Sequence, residues 1–353
     1  MRSLRAAGTA LGVLLLPASI APLMLLGVPS VLGEHRSLRA RFADRGPLPA
    51  PPVRVSPRWA PLAPWRGAVP VLAYHGIDEA RDGYSVSRQA FAEQMAMLRH
   101  AGLRAISIAQ YVRFLDGDDR GLPARPILIT FDDGRLDSYR GADAVLAREG
   151  MRATMFVITS QAGRHSPFYT DWKELRSMAR SGRWDLQVHA GAGHHLVRTD
   201  AAGHLGPRYA YRRWARGRLE SFAQFARGVT ADIDGARAAL ADHVTGFRSL
   251  AFAAPYGNMG LFGTNDRRIP AFLRGWLLRR FRAVFVQRDA GYTTRLSSRD
   301  AVPRHEVRTG ESADALYAWL RSRRPRVAVP AVAALPRLRG TPPATKDRAR
   351  RHG

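Results

Sequence analysis

Two adjacent carboxylates, Asp132 and Asp133, stand at the end of a short apolar run, Ile127 to Phe131, bounded by Pro126 and Gly134. The run reads as a buried strand, and the glycine lets the backbone turn tightly after the acids. Side chains alternate along a strand, but past its end the pleat relaxes. Both carboxylates can then reach one place and do different work there, one binding a cation and the other handling a proton. Taken by itself, Asp-Asp-Gly is also an ordinary solvated turn. Further along, His189 and His194 lie five apart with Gly191 and Gly193 between them. Ligands presented from one helix face would be three or four apart, so this spacing suits a loop wrapping an ion.

Thr130-Phe131-Asp132-Asp133-Gly134 resembles the first signature of the polysaccharide deacetylase family, carbohydrate esterases that remove N-acetyl groups from sugar polymers. Val188 to His195 and Phe252 to Gly257 resemble its second and third signatures, in the expected order, and the resemblance runs roughly from Val69 to Val307. With Asp133, the two histidines His189 and His194 make a two-histidine, one-carboxylate set with open positions, as hydrolytic zinc sites have. Other divalent ions accept the same donors, so zinc is the default and nickel, cobalt or iron are alternatives. The adjacent His195 leaves the third ligand open between His194 and His195.

The resemblance implies roles for further residues. Asp132 matches the family's general base, which takes a proton from attacking water. Tyr256 matches the residue whose backbone N–H meets the charge on the tetrahedral intermediate. An arginine that orients the base usually stands two places before that tyrosine. Here the place is Ala254, and Arg304, in Val302-Pro303-Arg304, is the substitute considered. The second signature usually carries Ser or Thr after its first histidine and a four-residue gap. Ala190 and a gap of five depart from it, and the gap resembles the branch acting on biofilm poly-N-acetylglucosamine. In that branch the barrel is permuted and a Tyr-His pair on the first strand supplies the acid that protonates the leaving amine. Tyr74-His75 resembles that pair, so the acid is assigned to His75. His305, between Arg304 and Glu306, lacks the apolar context of the usual late histidine.

These residues need a scaffold that brings distant strand ends together. Strands are expected at 68–74, 127–131, 153–158, 185–189, 247–252, 281–287 and 301–307, with a short strand-turn from Ile106 leading into a helix that ends at Leu115. Helices are expected at 87–102, 136–150, 171–181, within 217–244, and at 273–280 and 312–322. Alternating strands and helices argue for parallel βα units. Active residues at strand carboxyl ends suit a barrel-like α/β fold, and the resemblance implies an irregular, incomplete (β/α) barrel, the NodB homology domain. The acidic loop Asp116 to Asp119 lacks the alternating ligands and closing Glu of a calcium loop and reads as a solvated turn. Trp184, Tyr209, Tyr211 and Trp214 are candidate groove residues, with buried packing as the alternative.

The chain has 353 residues, 46% of them hydrophobic, and no cysteine. Length and composition allow one sizeable core, and the absence of cysteine excludes disulfides, thiolate metal ligands, a thiol nucleophile and lipidation of an N-terminal Cys. The net charge is +26, carried by arginine except for Lys173 and Lys346. Such a surface attracts anionic polymers, including phosphate-bearing cell wall. No nucleic-acid module accompanies it, so nucleic acid is not an expected partner. Residues 1–33 hold an uncharged stretch, Ala6 to Gly33, long enough to span a membrane and read as a signal anchor, or else a cleaved signal peptide. A proline-rich linker (34–67) is expected to be extended, with Trp59 and Trp65 docking on the catalytic domain (68–322). A basic, Pro/Arg-rich tail (323–353) is expected to be disordered.

Together these readings point to metal-dependent de-N-acetylation of N-acetylhexosamine units in an extracellular or cell-wall polysaccharide, by an extracytoplasmic, membrane-anchored protein or one secreted after cleavage. The competing readings are a catalytically inactive polysaccharide-binding relative, a peptidoglycan- or chitin-type deacetylase, a glycosidase using Asp132 with a second acid, and a basic scaffold protein.

Overall fold

The computed structural model describes residues 47–164 and 166–323. The expected leader, the first part of the linker and the tail beyond Arg323 lie outside the described residues. Among the described residues no helix is long and apolar enough to cross a membrane.

The sheet has eight strands, and every pairing in it is parallel. In spatial order it runs Ala283–Phe285, Ala251–Ala253, Trp184–Ala190, Ala153–Ile158, Pro126–Phe131, Val71–Tyr74 and His305–Glu306, with Arg104–Ala105 added beside Pro126–Phe131. Its two edges meet through one short segment. His305–Glu306 pairs with Leu72 and Ala73, while Val302 bridges to Phe285 on the far edge. Val302 N–H donates to Val284 O at 2.8 Å and Val286 N–H to Val302 O at 2.9 Å. The sheet is thereby curled into an irregular barrel held shut by residues 302–306.

The period-2 alternation of the strands separates two cores. Ile127, Ile129 and Phe131, Met155 and Val157, and Leu186 and Val188 face outward under the helices. Leu128, Phe156, Ala251, Ala253, Ala283, Phe285 and Val302 fill the barrel interior. Phe156 and Phe285 lie on strands that are not neighbours, yet their ring centroids are 5.4 Å apart across that interior. Both faces of Pro126–Phe131 are buried, which explains its unbroken apolar composition.

Helices Arg88–His100, Ile108–Leu115, Leu136–Glu149, Trp172–Arg180, Phe222–His243, Arg268–Leu278 and Ala313–Arg323 cover the outside. Ser87 caps the first by accepting from Ala90 N–H, and Ser107, Asp171 and Ser221 each head a capping box. The helix expected within 217–244 starts only at Phe222, because a small hairpin, Trp214–Ala215 against Arg218–Leu219, precedes it. That hairpin turns through Arg216 (φ 54°) and Gly217 (φ 75°). A second unexpected hairpin pairs Leu196–Arg198 with Leu205–Pro207. The first expected strand is broken at Pro70, and its opening residues, Ala68–Val69, pair antiparallel with Thr293–Thr294 instead. The acidic turn is ion-paired rather than merely solvated: Asp116 meets Arg282 at 2.8 Å and Arg299 at 2.5 Å.

Residues 47–67 run along the domain. Trp59, Leu62 and Trp65 are buried, Trp59 Nε1–H donates to Asp314 at 2.6 Å, and Trp65 Nε1–H donates to Ala68 O at 3.1 Å. Each indole buries its ring and satisfies its N–H. Trp65 also packs edge-on against Tyr292, with centroids 5.3 Å apart. Trp65→Ala is expected to cost about 3–5 kcal/mol of unfolding free energy, read by chemical denaturation. A loss below about 1 kcal/mol would show that this segment does not belong to the folded unit.

Candidate metal and catalytic centre

At the carboxyl end of the barrel the last inward positions of four strands are polar. His75 lies two residues past Ala73, Asp132 two past Thr130, His189 two past Gln187, and Gln287 two past Phe285. His75, Asp132 and His189 are all buried. After Asp132 the chain enters the left-handed region at Asp133 (φ 72°) and stays there at Gly134 (φ 71°). That turn swings the second carboxylate over the first. It costs roughly 1 kcal/mol or more at a non-glycine residue, strain of the kind that clusters at functional sites.

Asp133, His189 and His194 converge. His189 Nε2 lies 3.3 Å and His194 Nε2 3.4 Å from Asp133 Oδ1, and the three ligand atoms lie within 4.8 Å of one another. His189 Nδ1 is 2.8 Å from Ala253 O on the adjacent strand. The carbonyl assigns the proton to Nδ1 and leaves Nε2 with its lone pair facing Asp133. Asp133 Oδ1 is buried and accepts no hydrogen bond. Ligand bonds of about 2.0–2.2 Å in a tetrahedral shell put donor atoms roughly 3.3–3.5 Å apart, so the donor set fits a divalent ion. His195 is turned away: it is exposed, with Nδ1 3.0 Å from Ala192 O. The structure thus brings His194 to the cluster, and not His195.

On the other side stands a buried ion pair. Arg304 Nη1 and Nη2 each meet a carboxylate oxygen of Asp132 at 2.7 Å. Nη1 also reaches Thr130 Oγ1 at 3.2 Å, and the guanidinium lies 5.6 Å from the Phe156 ring centroid and 5.9 Å from that of Phe285. Ala254, where the signature's arginine would stand, belongs to the outer core; the guanidinium arrives instead on the segment that closes the barrel. Burial would raise the Asp132 carboxyl, but the charge and hydrogen bonds of the Arg304 guanidinium outweigh it and hold Asp132 below the ordinary carboxylate range. His75 Nε2 is 4.0 Å from Asp132 Oδ2 and 3.2 Å from Gln287 Nε2. Tyr256 (φ 56°) stacks on His194, with ring centroids 4.5 Å apart. Burial and the Asp133 charge raise its phenol to about 12. His75, Tyr84, Asp133, Arg135, His189, His194, Tyr256 and Gln287 together line a cleft of about 150 Å³.

Among the proposed groove aromatics, Trp184 and Tyr209 are core residues. Trp184 packs on Phe131 and donates to Asp143 at 2.9 Å, and Tyr209 donates to Asp232. Tyr211 and Trp214 are half-buried. Gln287 was open to discovery from the sequence, since it ends a strand at the same inward position as His75. Arg135 carried no such signal. Only 4% exposed, it is ringed by Asp137, Asp82 at 3.4 Å and Asp78 at 3.5 Å, with the Phe168 ring 4.6 Å from its guanidinium carbon.

A model of the polysaccharide deacetylase family matches residues 119–267. The poly-beta-1,6-N-acetyl-D-glucosamine N-deacetylase of Escherichia coli K12 is 27% identical over 188 residues, which are 48% of this chain and 28% of that protein. This chain therefore spans less than a third of that relative's length. Among solved structures, the BpsB deacetylase domain from Bordetella bronchiseptica matches with TM-score 0.58 and 25% identity, over 70% of this chain and 99% of that one. IcaB from Ammonifex degensii matches with TM-score 0.54 and 27% identity, over 73% and 98%. A curled parallel α/β sheet with an Asp-Asp-Gly turn and a histidine loop at its carboxyl end defines the class. In these features, and over residues 119–267, the chain is similar to the polysaccharide deacetylases.

Two outcomes test the electrostatics. Removing one partner of a buried pair strands the other, so Arg304→Gln is expected to cost about 3–5 kcal/mol. A denaturation loss within the roughly 0–1 kcal/mol of an exposed pair would contradict that account. Burial, then the charge and hydrogen bond of Asp137, raise the Asp78 carboxyl to about 7. An acid raised on folding costs stability above its unfolded value of about 3.9, increasingly up to about pH 7. Asp78→Asn should therefore raise the urea midpoint over wild type at pH 8 and leave it nearly unchanged at pH 4. Equal shifts at both pH values would refute the burial explanation.

Proposed function

We propose that this domain hydrolyses the N-acetyl groups of N-acetylhexosamine units in an extracellular or cell-wall polysaccharide, poly-N-acetylglucosamine-like, releasing acetate and leaving free amines. The observation that carries this reading is the Asp132–Arg304 pair beside Asp133, His189 and His194. It supplies a buried carboxylate kept ionised next to a cation site, where the sequence signature lacks its usual arginine. That supports catalysis over a binding-only relative, in which Ala254 would be a sign of decay.

Asp133, His189 and His194 would hold a divalent ion, zinc by default, which when bound supplies Lewis acidity toward an acetamide oxygen and a water molecule. Asp132 takes a proton as the water oxygen attacks the carbonyl carbon. Its pairing with Arg304 keeps it charged and fixes its orientation. The tetrahedral carbon then loses its C–N bond, and His75 delivers a proton to the departing amine nitrogen, so that acetate and an ammonium group result. Gln287, in contact with His75 Nε2, holds that ring over the cleft. Tyr256 offers its backbone N–H to the oxyanion. The relatives' names support the polymer class. The apolar leader supports an extracytoplasmic, membrane-anchored location.

Acetate release from a panel of N-acetylated glycans is the test. Activity should vanish with chelator, return with a divalent ion, and fall by at least about 10³-fold in Asp133→Asn and by about 10²–10⁴-fold in His75→Ala. Release that ignores both chelator and Asp133→Asn would overturn the metal-dependent reading. Chain cleavage in place of acetate release would favour a glycosidase.

A further inference from the structure

His194 reaches Asp133 only because residues 190–194 fold back on themselves, and neither histidine holds that loop. The serine or threonine that follows the first histidine in the family's second signature is replaced by Ala190, which has no hydroxyl. A carboxylate from a neighbouring helix holds the loop instead of any side chain within it. Asp232, on the helix Phe222–His243, accepts from three successive backbone amides: Gly191 N–H at 2.9 Å, Ala192 N–H at 2.7 Å and Gly193 N–H at 3.1 Å. Tyr209 O–H adds a fourth hydrogen bond to the same carboxylate. Consecutive N–H groups converging on one anion form a nest, and the anion fixes the backbone that forms it. Burial and the Asp232 charge push the Tyr209 phenol well above its ordinary value, so it remains a donor.

The two glycines of the loop fit this arrangement. A Cβ on Gly191 would sit 2.7 Å from the Asp232 carboxylate and backbone oxygens, and one on Gly193 would sit 2.2 Å from the Tyr209 ring. Both positions are glycine because the staple comes that close.

We infer that Asp232 is a positioning residue for the metal centre, holding the 191–193 backbone in the one conformation that carries His194 to Asp133 and His189. It is outside the Asp133, His189 and His194 cluster and does not line the cleft, and the inference rests on the metal-binding reading of that cluster. Outer residues that orient a metal ligand typically change metal affinity by about 10–100-fold when removed. A carboxamide keeps the size of the side chain but loses its charge and one acceptor oxygen.

The test is zinc affinity of the full-length, metal-free protein, titrated against a chromophoric chelator, beside the thermal melt of the same apo samples. Asp232→Asn is expected to weaken zinc binding at least about 10-fold while its far-UV circular dichroism stays native. Tyr209→Phe, which removes only one of the four hydrogen bonds, should weaken it less. If Asp232→Asn does not fold, a weakened affinity in Tyr209→Phe supports the inference and an unchanged one overturns it. A lowered melting temperature with wild-type zinc affinity would make Asp232 merely structural and would also overturn it. Wild type that takes up no zinc, nickel or cobalt would instead defeat the metal reading itself.

Discussion

A carboxylate sealed inside a barrel needs a compensating charge, and Asp132 finds it in the Arg304 guanidinium. Arg304 is itself fully buried, so each member of the pair is tolerable only because of the other. The arginine sits on the segment that joins the two edges of the sheet, between Val302 on Phe285 and His305 on Leu72. Closing the barrel and neutralising its polar end are therefore one event. The aromatic interior assists, since Phe156 and Phe285 fill the layer beneath and flank the guanidinium. Water is kept from the pair, which strengthens the attraction.

The rest of the centre follows from the end of the strands. While the pleat lasts, alternation sends only every second residue inward, and Asp133 would point away from Asp132. The left-handed turn at Asp133 and Gly134 undoes that constraint. A second such turn, at Tyr256 and Gly257 (φ 64°), lays the tyrosine ring on His194. The histidine loop is the third device, longer than the family's usual gap and held by the Asp232 carboxylate through its backbone amides. Each device uses residues whose conformational cost is offset by the packed sheet below.

Much of this was legible in the sequence, for identifiable reasons. Pro126–Phe131 and Ala153–Ile158 are buried on both faces, so they read as short apolar runs with clear limits. Asp132, Asp133, His189, His194, His75, Arg304 and Tyr256, named from motifs and spacing, are gathered at one end of the barrel. His194 and His195 could not be told apart, because adjacent residues differ only in the direction that a loop gives them. The hairpins around Leu196–Pro207 and Trp214–Leu219 were missed because their strands are two or three residues long and carry no apolar alternation. Asp232 lies 41 residues from Gly191 on an otherwise ordinary helix. A residue that acts through backbone amides so far away leaves no local pattern to read.

The most direct measurement is anomalous diffraction from crystals of the domain grown with zinc, with data collected on either side of the zinc absorption edge. The expected result is one strong peak about 2.0–2.2 Å from Asp133 Oδ1, His189 Nε2 and His194 Nε2, with Asp132 still paired to Arg304 and His195 outside the shell. A peak bound through His195, or none between Asp133 and the two histidines, would contradict the account of the centre.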